Sequence, residues 1–368
     1  MAEKRTVYFF GSLPNGIEPY YGGGEVGNKR TVDMLRGFGY KVRVVRKLRC
    51  KATTPMFVKL LTYPFRFTAY VSAFLFLLIV GSRKAMVHIS GYYGSTIFCE
   101  YILTEAANLL GYRIIFEIRG ECVEAYRTMG CAIHRLCFAR ILRIPEIVFS
   151  QGVESEPFLR TFTDKPIFHY PNYVEADYLP PVLPQKPQGT VNLIYFGRIE
   201  AQKNVKLIVE AASILQQSID ISLTIIGKGL HEYVGDVVSL MEQKLKPGTY
   251  SFISGYARIG IRNILLDKHF LIFPSEREGQ SNTITESMSC GVVPISSPKG
   301  FSRTVIGNDR LIINELSAQN YADRILEILA NGSYSQLSQF VYERIKANYM
   351  QAVIEPKLRE QYERLWVG

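Results

Sequence analysis

The sequence predicts an α/β protein built from two doubly wound parallel sheets. Three observations predict it. Short apolar, β-branched runs alternate with helical stretches in the first half, a Pro-rich break interrupts the middle, and the same alternation then restarts. At about 100–200 residues per domain, a chain of 368 residues also favours two domains.

The elements follow in order. RTVYFF places a first strand at Thr6–Phe10; its apolar stretch is too short for a signal peptide and runs straight into a turn. A Gly-rich loop comes next, then a helix near Gly27–Phe38 and the strand KVRVV. AMVHIS, YRIIFEI and EIVFS read as further strands, with a helix around Ser95–Leu110 after the first of them. Residues 174–190 contain Pro180, Pro181, Pro184 and Pro187, a stretch that continues neither a helix nor a central strand. Beyond it VNLIYFG, ISLTIIG, YSFISG, HFLIFPS and VVPISS read as strands, and Val205–Gln217, Thr283–Ser289 and Ala318–Leu329 as helices. The expected division is a first domain over 1–175, a linker over 176–190, a second domain over 191–350 and a last helix within 351–368. Such sheets bind ligands at the carboxyl ends of their strands. Two of them facing each other would put the site in a cleft.

Composition narrows the class. Hydrophobic residues make up 47% and charged residues 21%, which excludes disordered, collagen-like and small disulfide-scaffold proteins. The formal charge of +10 is uneven: residues 1–170 carry 23 Lys+Arg against 13 Asp+Glu, and residues 171–368 carry 20 of each. The six cysteines form no C-x-x-C pair and fit a reducing compartment. Cys131, His134 and Cys137 stand at helical spacing but lack a fourth ligand, so they read as one helix face rather than a metal site.

Three constellations carry chemistry. The densest is PSEREGQSNTITESMSCGVVPI, residues 274–295. A strand ends at Pro274, Ser281 or Asn282 can cap the next helix, and amides from about Thr283 to Thr285 would face a phosphate. Glu278 and Glu286 flank those amides and suit hydrogen bonds from sugar hydroxyls on either side of a diphosphate; the plainer alternative is two surface carboxylates favouring the helix dipole. In IYFGRIEAQKN, Arg198 and Lys203 suit a diphosphate leaving group, whose charge grows as its bond breaks, or are two solvated cations. In PYYGGGEVGNKR, Gly22, Gly23 and Gly24 let the backbone approach a phosphate or sugar, or form a flexible loop.

Glu278, Gly279, Glu286, Cys290, Gly291 and Pro294 together resemble the E-G-x6-E…C-G-x-x-P signature of retaining GT-B glycosyltransferases, family 4. The GR…KN element, IIGKG at 225–229, FISGY at 252–256, YPN at 170–172 and the N-terminal Gly-rich loop come in that family's order. The resemblance covers nearly the whole chain and is strongest over 190–310. It implies a GT-B fold: two Rossmann-like domains facing across a cleft, with the C-terminal helix, Lys357–Trp366, crossing back to the first. It further implies that Glu278 holds donor-sugar hydroxyls, Glu286 the ribose, Arg198 and Lys203 the diphosphate, and Gly23 and Gly24 the donor phosphates. Ser281, Asn282 and Thr283 fall at the donor phosphates, and Lys228, Gly229 and Tyr256 at the base pocket. The donor expected is a UDP- or GDP-linked sugar. No D-x-D occurs, so no cofactor and no metal is expected; Arg198, Lys203 and the helix dipole take that work.

Two departures stand out. Where many relatives carry a His near the end of RIIFEI, this chain has Glu117, Arg119 and Gly120; Arg119, with Glu25, is a candidate for acceptor or phosphate contact, or is structural. Gln280-Ser281 replaces the common Phe-Gly after Glu278-Gly279.

The acceptor side rests on charge. Nine basic residues lie between Lys29 and Lys51 with one acid, Asp33, among them; Lys59 and Arg66 then sit among Phe, Leu and Tyr. The charge-free stretch Phe67–Ser82 is shorter than the ~20 residues of a membrane span and reads as a buried or interfacial helix. Basic residues interleaved with apolar ones suit an anionic membrane surface, and no nucleic-acid motif accompanies them. The expectation is a peripheral enzyme on the inner face of the cytoplasmic membrane. It would move a sugar onto a polyprenyl diphosphate-linked saccharide for a bacterial O-antigen, capsule or exopolysaccharide. The alternatives are a same-fold nucleotide-sugar epimerase or hydrolase, and a non-catalytic nucleotide-binding module at a membrane.

Overall fold

A computed structural model describes residues 5–14, 23–47, 54–91, 96–120, 126, 131–255 and 258–367. The chain divides into two compact units, residues 1–171 with 355–368 and residues 172–354.

In the first unit, β1 (Thr6–Gly11), α1 (Gly23–Gly37), β2 (Lys41–Arg46), α2 (Met56–Val80), β3 (Met86–Gly91), α3 (Ile97–Leu109), β4 (Arg113–Ile118), α4 (Ala132–Arg143), β5 (Ile147–Ser150), α5 (Glu156–Leu159) and β6 (Ile167–His169) follow one another. All strand pairs are parallel, in the order β2-β1-β3-β4-β5-β6. The chain therefore reverses its winding between β1 and β3, and the switch point lies at their carboxyl ends. Strand β3 is buried throughout, as a strand covered by helices on both faces must be. The core on one face joins Tyr8, Phe10 and Val87 of the sheet to Phe74, Leu78 and Leu103 of the helices.

Helix α2 is where sequence and structure part. All but the last two residues of the charge-free stretch sit in a helix of 25, long and apolar enough to cross a membrane. The charges at Lys59 and Arg66 do not end it, because Arg66 donates to the Lys59 carbonyl and the Thr62 hydroxyl along the helix. Tyr70, Val71, Phe74 and Leu78 are buried in the core, which ties one face to the first unit. The opposite face is inverted relative to an ordinary surface helix. Its exposed positions, from Met56 and Phe57 through Leu60, Leu61 and Phe65 to Phe76, Ile79 and Val80, include no charged residue.

The basic window is likewise not one surface. Lys47 is buried against Glu100, Arg30 is also buried, and Lys29 and Arg36 pair with Asp33. Lys41, Arg43 and Arg46 remain exposed on the edge strand β2. Arg49 and Lys51 lie outside the described residues.

The second unit runs β7 (Val191–Ile199), α6 (Val205–Leu215), β8 (Ile221–Gly229), α7 (His231–Lys244), β9 (Tyr250–Ser254), α8 (Arg258–Leu265), β10 (Phe270–Phe273), α9 (Asn282–Ser289), β11 (Val293–Ser296), α10 (Ser302–Ile306), α11 (Ala318–Ala330) and α12 (Tyr334–Asn348). Its parallel sheet has the order β11-β10-β7-β8-β9, so its switch point falls between β7 and β10. The Pro-rich stretch is fastened to this unit rather than free. Tyr342 donates to the Pro180 carbonyl, and the Lys186 ammonium donates to the carbonyls of Leu265, Leu266 and Cys290. Burial pushes that lysine's pKa down to about 8. The last helix, α13 (Gln351–Val367), starts in the second unit and from Glu355 onward belongs to the first.

Candidate functional site

The second switch point gathers residues that are 75 positions apart in sequence. Strand β7 delivers Arg198 and then a tight turn, Ala201–Lys203. Asn204 closes the turn with φ at +50°, a left-handed conformation that Asn tolerates better than most residues, and α6 starts from it. Its side-chain amide donates to the Pro274 carbonyl at 3.1 Å and to Glu276 at 3.0 Å, fastening the segment that follows β10. Lys203 is thereby carried over the end of β10. Its ammonium donates to Ser275 Oγ and the Arg277 carbonyl, each at 3.2 Å, and pairs with Glu278. Lys203 is buried and Glu278 is nearly so.

Arg198, expected to act with Lys203, is oriented differently. It is about half exposed and pairs with Glu200 at 3.1 Å. Ser281 caps α9, its hydroxyl accepting from the Ile284 amide at 3.4 Å, and the Thr285 amide turns back to the Ser281 carbonyl. Two of the three amides expected to face a phosphate are therefore used inside the cap. Thr283 Oγ1 donates to the Phe196 carbonyl at 3.0 Å, anchoring the helix start on β7. Asn282 is partly exposed beside it. Glu286 lies in the second turn of α9 and is buried. Lys228 and Gly229 form the exposed end of β8, whereas Tyr256 lies outside the described residues.

Two supports of this site have no role assigned from the sequence. Gln280 Oε1 accepts from the Asn172 amide at 2.6 Å and Gln280 Nε2 donates to the Asn172 carbonyl at 2.9 Å; Asn172 Nδ2 donates to the Gln280 carbonyl at 3.0 Å. Both residues are buried. The Gln280 that departs from the family pattern thus locks the Glu278 segment to Asn172. Gly300 presses on the same segment. A Cβ there would lie 2.2 Å from the Gly279 carbonyl oxygen, and φ of +62° suits only glycine well.

The first unit gathers a second polar group. Helix α1 begins at Gly23, earlier than the expected Gly27, so Gly23 and Gly24 are its first turn rather than a loop, and Glu25 is buried within it. Gly22 lies outside the described residues. At the first switch point Asn28 Nδ2 donates to the Ser12 carbonyl at 2.9 Å and Ser90 Oγ donates to Asn28 Oδ1 at 2.8 Å. The Lys47 ammonium meets the Ser90 carbonyl at 3.0 Å and Glu100 at 2.5 Å. Lys47, one of the basic residues of the 29–51 window, is thus spent on Glu100 inside the first unit rather than on a surface.

Arg119 is held inside the first unit. It is buried, donates to Glu117 at 2.6 Å and to Thr31 Oγ1 at 3.0 Å, and lies over the Tyr170 ring. Glu117 also meets His88 Nε2 at 3.0 Å, and His88 Nδ1 is bonded to the Tyr362 hydroxyl of α13. Burial works to raise the Glu117 pKa, but the Arg119 charge and the His88 contact outweigh it and hold the carboxyl below its ordinary value. Cys131 is exposed just before α4, while His134 and Cys137 are buried inside it.

Residues 184–346 match the model of glycosyl transferases group 1. The chain is 23% identical over 146 residues to the O-antigen chain mannosyltransferase B of Escherichia coli; the match spans 39% of this chain and 38% of that protein's length. Among solved structures, a sucrose-phosphate synthase from Thermosynechococcus elongatus covers 99% of this chain and 100% of its own, with a TM-score of 0.78 at 15% identity. HepE of Anabaena in complex with UDP covers 98% and 100%, with a TM-score of 0.69 at 10% identity. A glycosyltransferase from Rickettsia africae covers 98% of each chain, with a TM-score of 0.71 at 14% identity. Residues 184–346, which seat the E-G-x6-E segment at the switch point, thus match the glycosyl transferases group 1, and the whole chain has the two-domain GT-B fold.

Proposed function

We propose that this protein transfers a sugar from a nucleoside diphosphate sugar, with retention of configuration and without a metal, to a polyprenyl diphosphate-linked saccharide at an anionic membrane surface. The observation that carries the reading is the buried Lys203–Glu278 pair at the second switch point, beside the start of α9. In this reading the donor's diphosphate competes with Glu278 for Lys203. Its arrival frees the carboxylate to accept hydrogen bonds from the donor sugar, each charged bond contributing about 1.5–3 kcal/mol. Lys203 and Arg198 then stabilise the charge that grows on the leaving diphosphate. Glu286 holds the ribose, and Gly23 and Gly24 are the first unit's donor contacts. The departing phosphate oxygen takes the acceptor proton, so no protein nucleophile is assigned.

The E. coli relative is an O-antigen mannosyltransferase, which favours a surface polysaccharide as product. The uncharged exposed face of α2 favours a membrane surface, with the helix lying in the interface rather than spanning it, because its other face is core. A donor panel with a synthetic polyprenyl diphosphate sugar, read by mass spectrometry with and without EDTA, tests the reaction. One hexose is expected on the acceptor in both conditions. Glu278→Gln is expected to abolish transfer while nucleotide binding survives. Nucleotide release with no mass gain on any acceptor overturns the transferase reading in favour of hydrolysis or epimerisation.

A further inference from the structure

The first unit has a groove at the edge opposite its switch point. It occupies about 850 Å³ and its lining includes Arg5, Lys41, Arg43, Arg83, Lys84 and Arg113, with no carboxylate among the lining residues. These six come together because the sheet is parallel. Arg5 precedes β1, Lys41 and Arg43 open β2, Arg83 and Lys84 precede β3, and Arg113 opens β4, so all lie at the amino-terminal edge. Substrates of doubly wound sheets sit at the carboxyl edge, so the groove is not part of the site described above.

The cations are held in place with little loss of charge. Arg5 pairs with Glu363 and lies 5.7 Å from the Trp366 ring centre. Arg83 donates to the Leu78 and Ile79 carbonyls at the end of α2 and lies over the Tyr112 ring. Arg113 donates to the Leu365 carbonyl. Carbonyl contacts orient a guanidinium without cancelling its charge. Lys41 and Arg43 are exposed. A concave surface lined by one sign of charge concentrates the opposite sign, and guanidinium forks match phosphate oxygens.

We infer that this groove binds the phosphate of an anionic phospholipid headgroup. The choice of a lipid over a free phosphate comes from the groove's wall. Val80 and Gly81 line it, so it opens at the end of the uncharged face of α2, where Ile79 and Val80 are 63% and 59% exposed. A headgroup seated there leaves its acyl chains alongside that face. The inference rests on the proposed membrane-surface position of α2, and the test separates the two.

Full-length protein is floated with phosphatidylcholine vesicles, with and without phosphatidylglycerol. Lys41→Gln/Arg43→Gln removes two exposed cations of the groove, and Arg43→Gln alone removes one; unchanged thermal unfolding verifies both folds. The parent is expected to prefer the phosphatidylglycerol vesicles. At about 1 kcal/mol per cation, roughly fivefold each, the single variant should lose about fivefold of that preference and the double variant about 25-fold. Binding to neutral vesicles should be kept. A parent that floats with neither vesicle overturns both the placement of α2 and the lipid site. A parent that prefers anionic vesicles, matched by the double variant, overturns the groove alone. Inorganic phosphate that binds the parent but not the double variant, and that saturating phosphatidylglycerol vesicles do not displace, makes the groove a free-phosphate site and overturns the lipid assignment.

Discussion

Replacing Gln280 with methionine keeps the length of the side chain and removes its hydrogen bonding. In the structure that side chain satisfies both the amide and the carbonyl of Asn172, inside a site where neither residue reaches solvent appreciably. Leaving a buried main-chain group without a partner costs about 1–3 kcal/mol, so the pair should cost about 2–6 kcal/mol, less what the thioether recovers by packing. The complementary change, Asn172→Ala, removes the bond from Nδ2 to the Gln280 carbonyl and leaves both bonds of the Gln280 side chain to the Asn172 main chain, so the loss of that bond should cost about 1 kcal/mol. Amide hydrogen exchange in peptides covering 272–285 reads the local opening of the segment that carries Glu278. A loss of 2 kcal/mol appears as roughly 30-fold faster exchange. In Gln280→Met the donor KM should rise with it, because Glu278 would no longer be held in one place. Exchange within about twofold of the parent, or a larger effect from Asn172→Ala than from Gln280→Met, would refute the claim that this clamp sets the geometry of the segment.

Two further predictions concern the first unit. Gly27→Ala places a Cβ 1.9 Å from a guanidinium nitrogen of Arg119. Helix propensity gains about 1 kcal/mol, but breaking the buried Arg119–Glu117 pair costs about 3–5 kcal/mol, so urea unfolding should show a net loss of about 2–4 kcal/mol. Acid should act through Glu117. Its folded pKa is lowered, so its stabilisation is complete above the ordinary carboxylate value of 4.5 and is lost as pH falls through the folded value. Unfolding followed from pH 6 downward should therefore steepen below 4.5 in the parent and be flatter in Glu117→Gln; parallel curves would show that this carboxylate is not linked to folding.

Most strands of both sheets could be read directly, because a strand of a parallel sheet covered on both faces is a short apolar run wherever it occurs. The signature segment 274–295 was legible for a related reason: cap, loop and helix start are local, and Ser281 caps α9 through three-residue geometry. The extent of α2 was not legible. Lys59 and Arg66 interrupt its apolar run in sequence, while the hydrogen bonds that absorb Arg66 exist only once the helix forms. The basic window misled for the opposite reason. Charge counted along a chain does not show which lysine meets a buried glutamate, and Lys47 meets Glu100, 53 residues away.

By itself the sequence determined what each segment is: strand or helix, capped or broken, and which residues carry charge and signature. Only the tertiary structure decided what those residues do to one another. Placing β10 beside β7 lays Lys203 against Glu278 and leaves Arg198 to Glu200. Starting β1 to β4 at one edge turns six scattered cations into a groove. Packing Phe74 and Leu78 inward leaves Phe65 and Val80 outward. Apolar periodicity is set within a turn or two of backbone, whereas ion pairing, burial and surface field depend on residues that the chain brings together only when the sheets close.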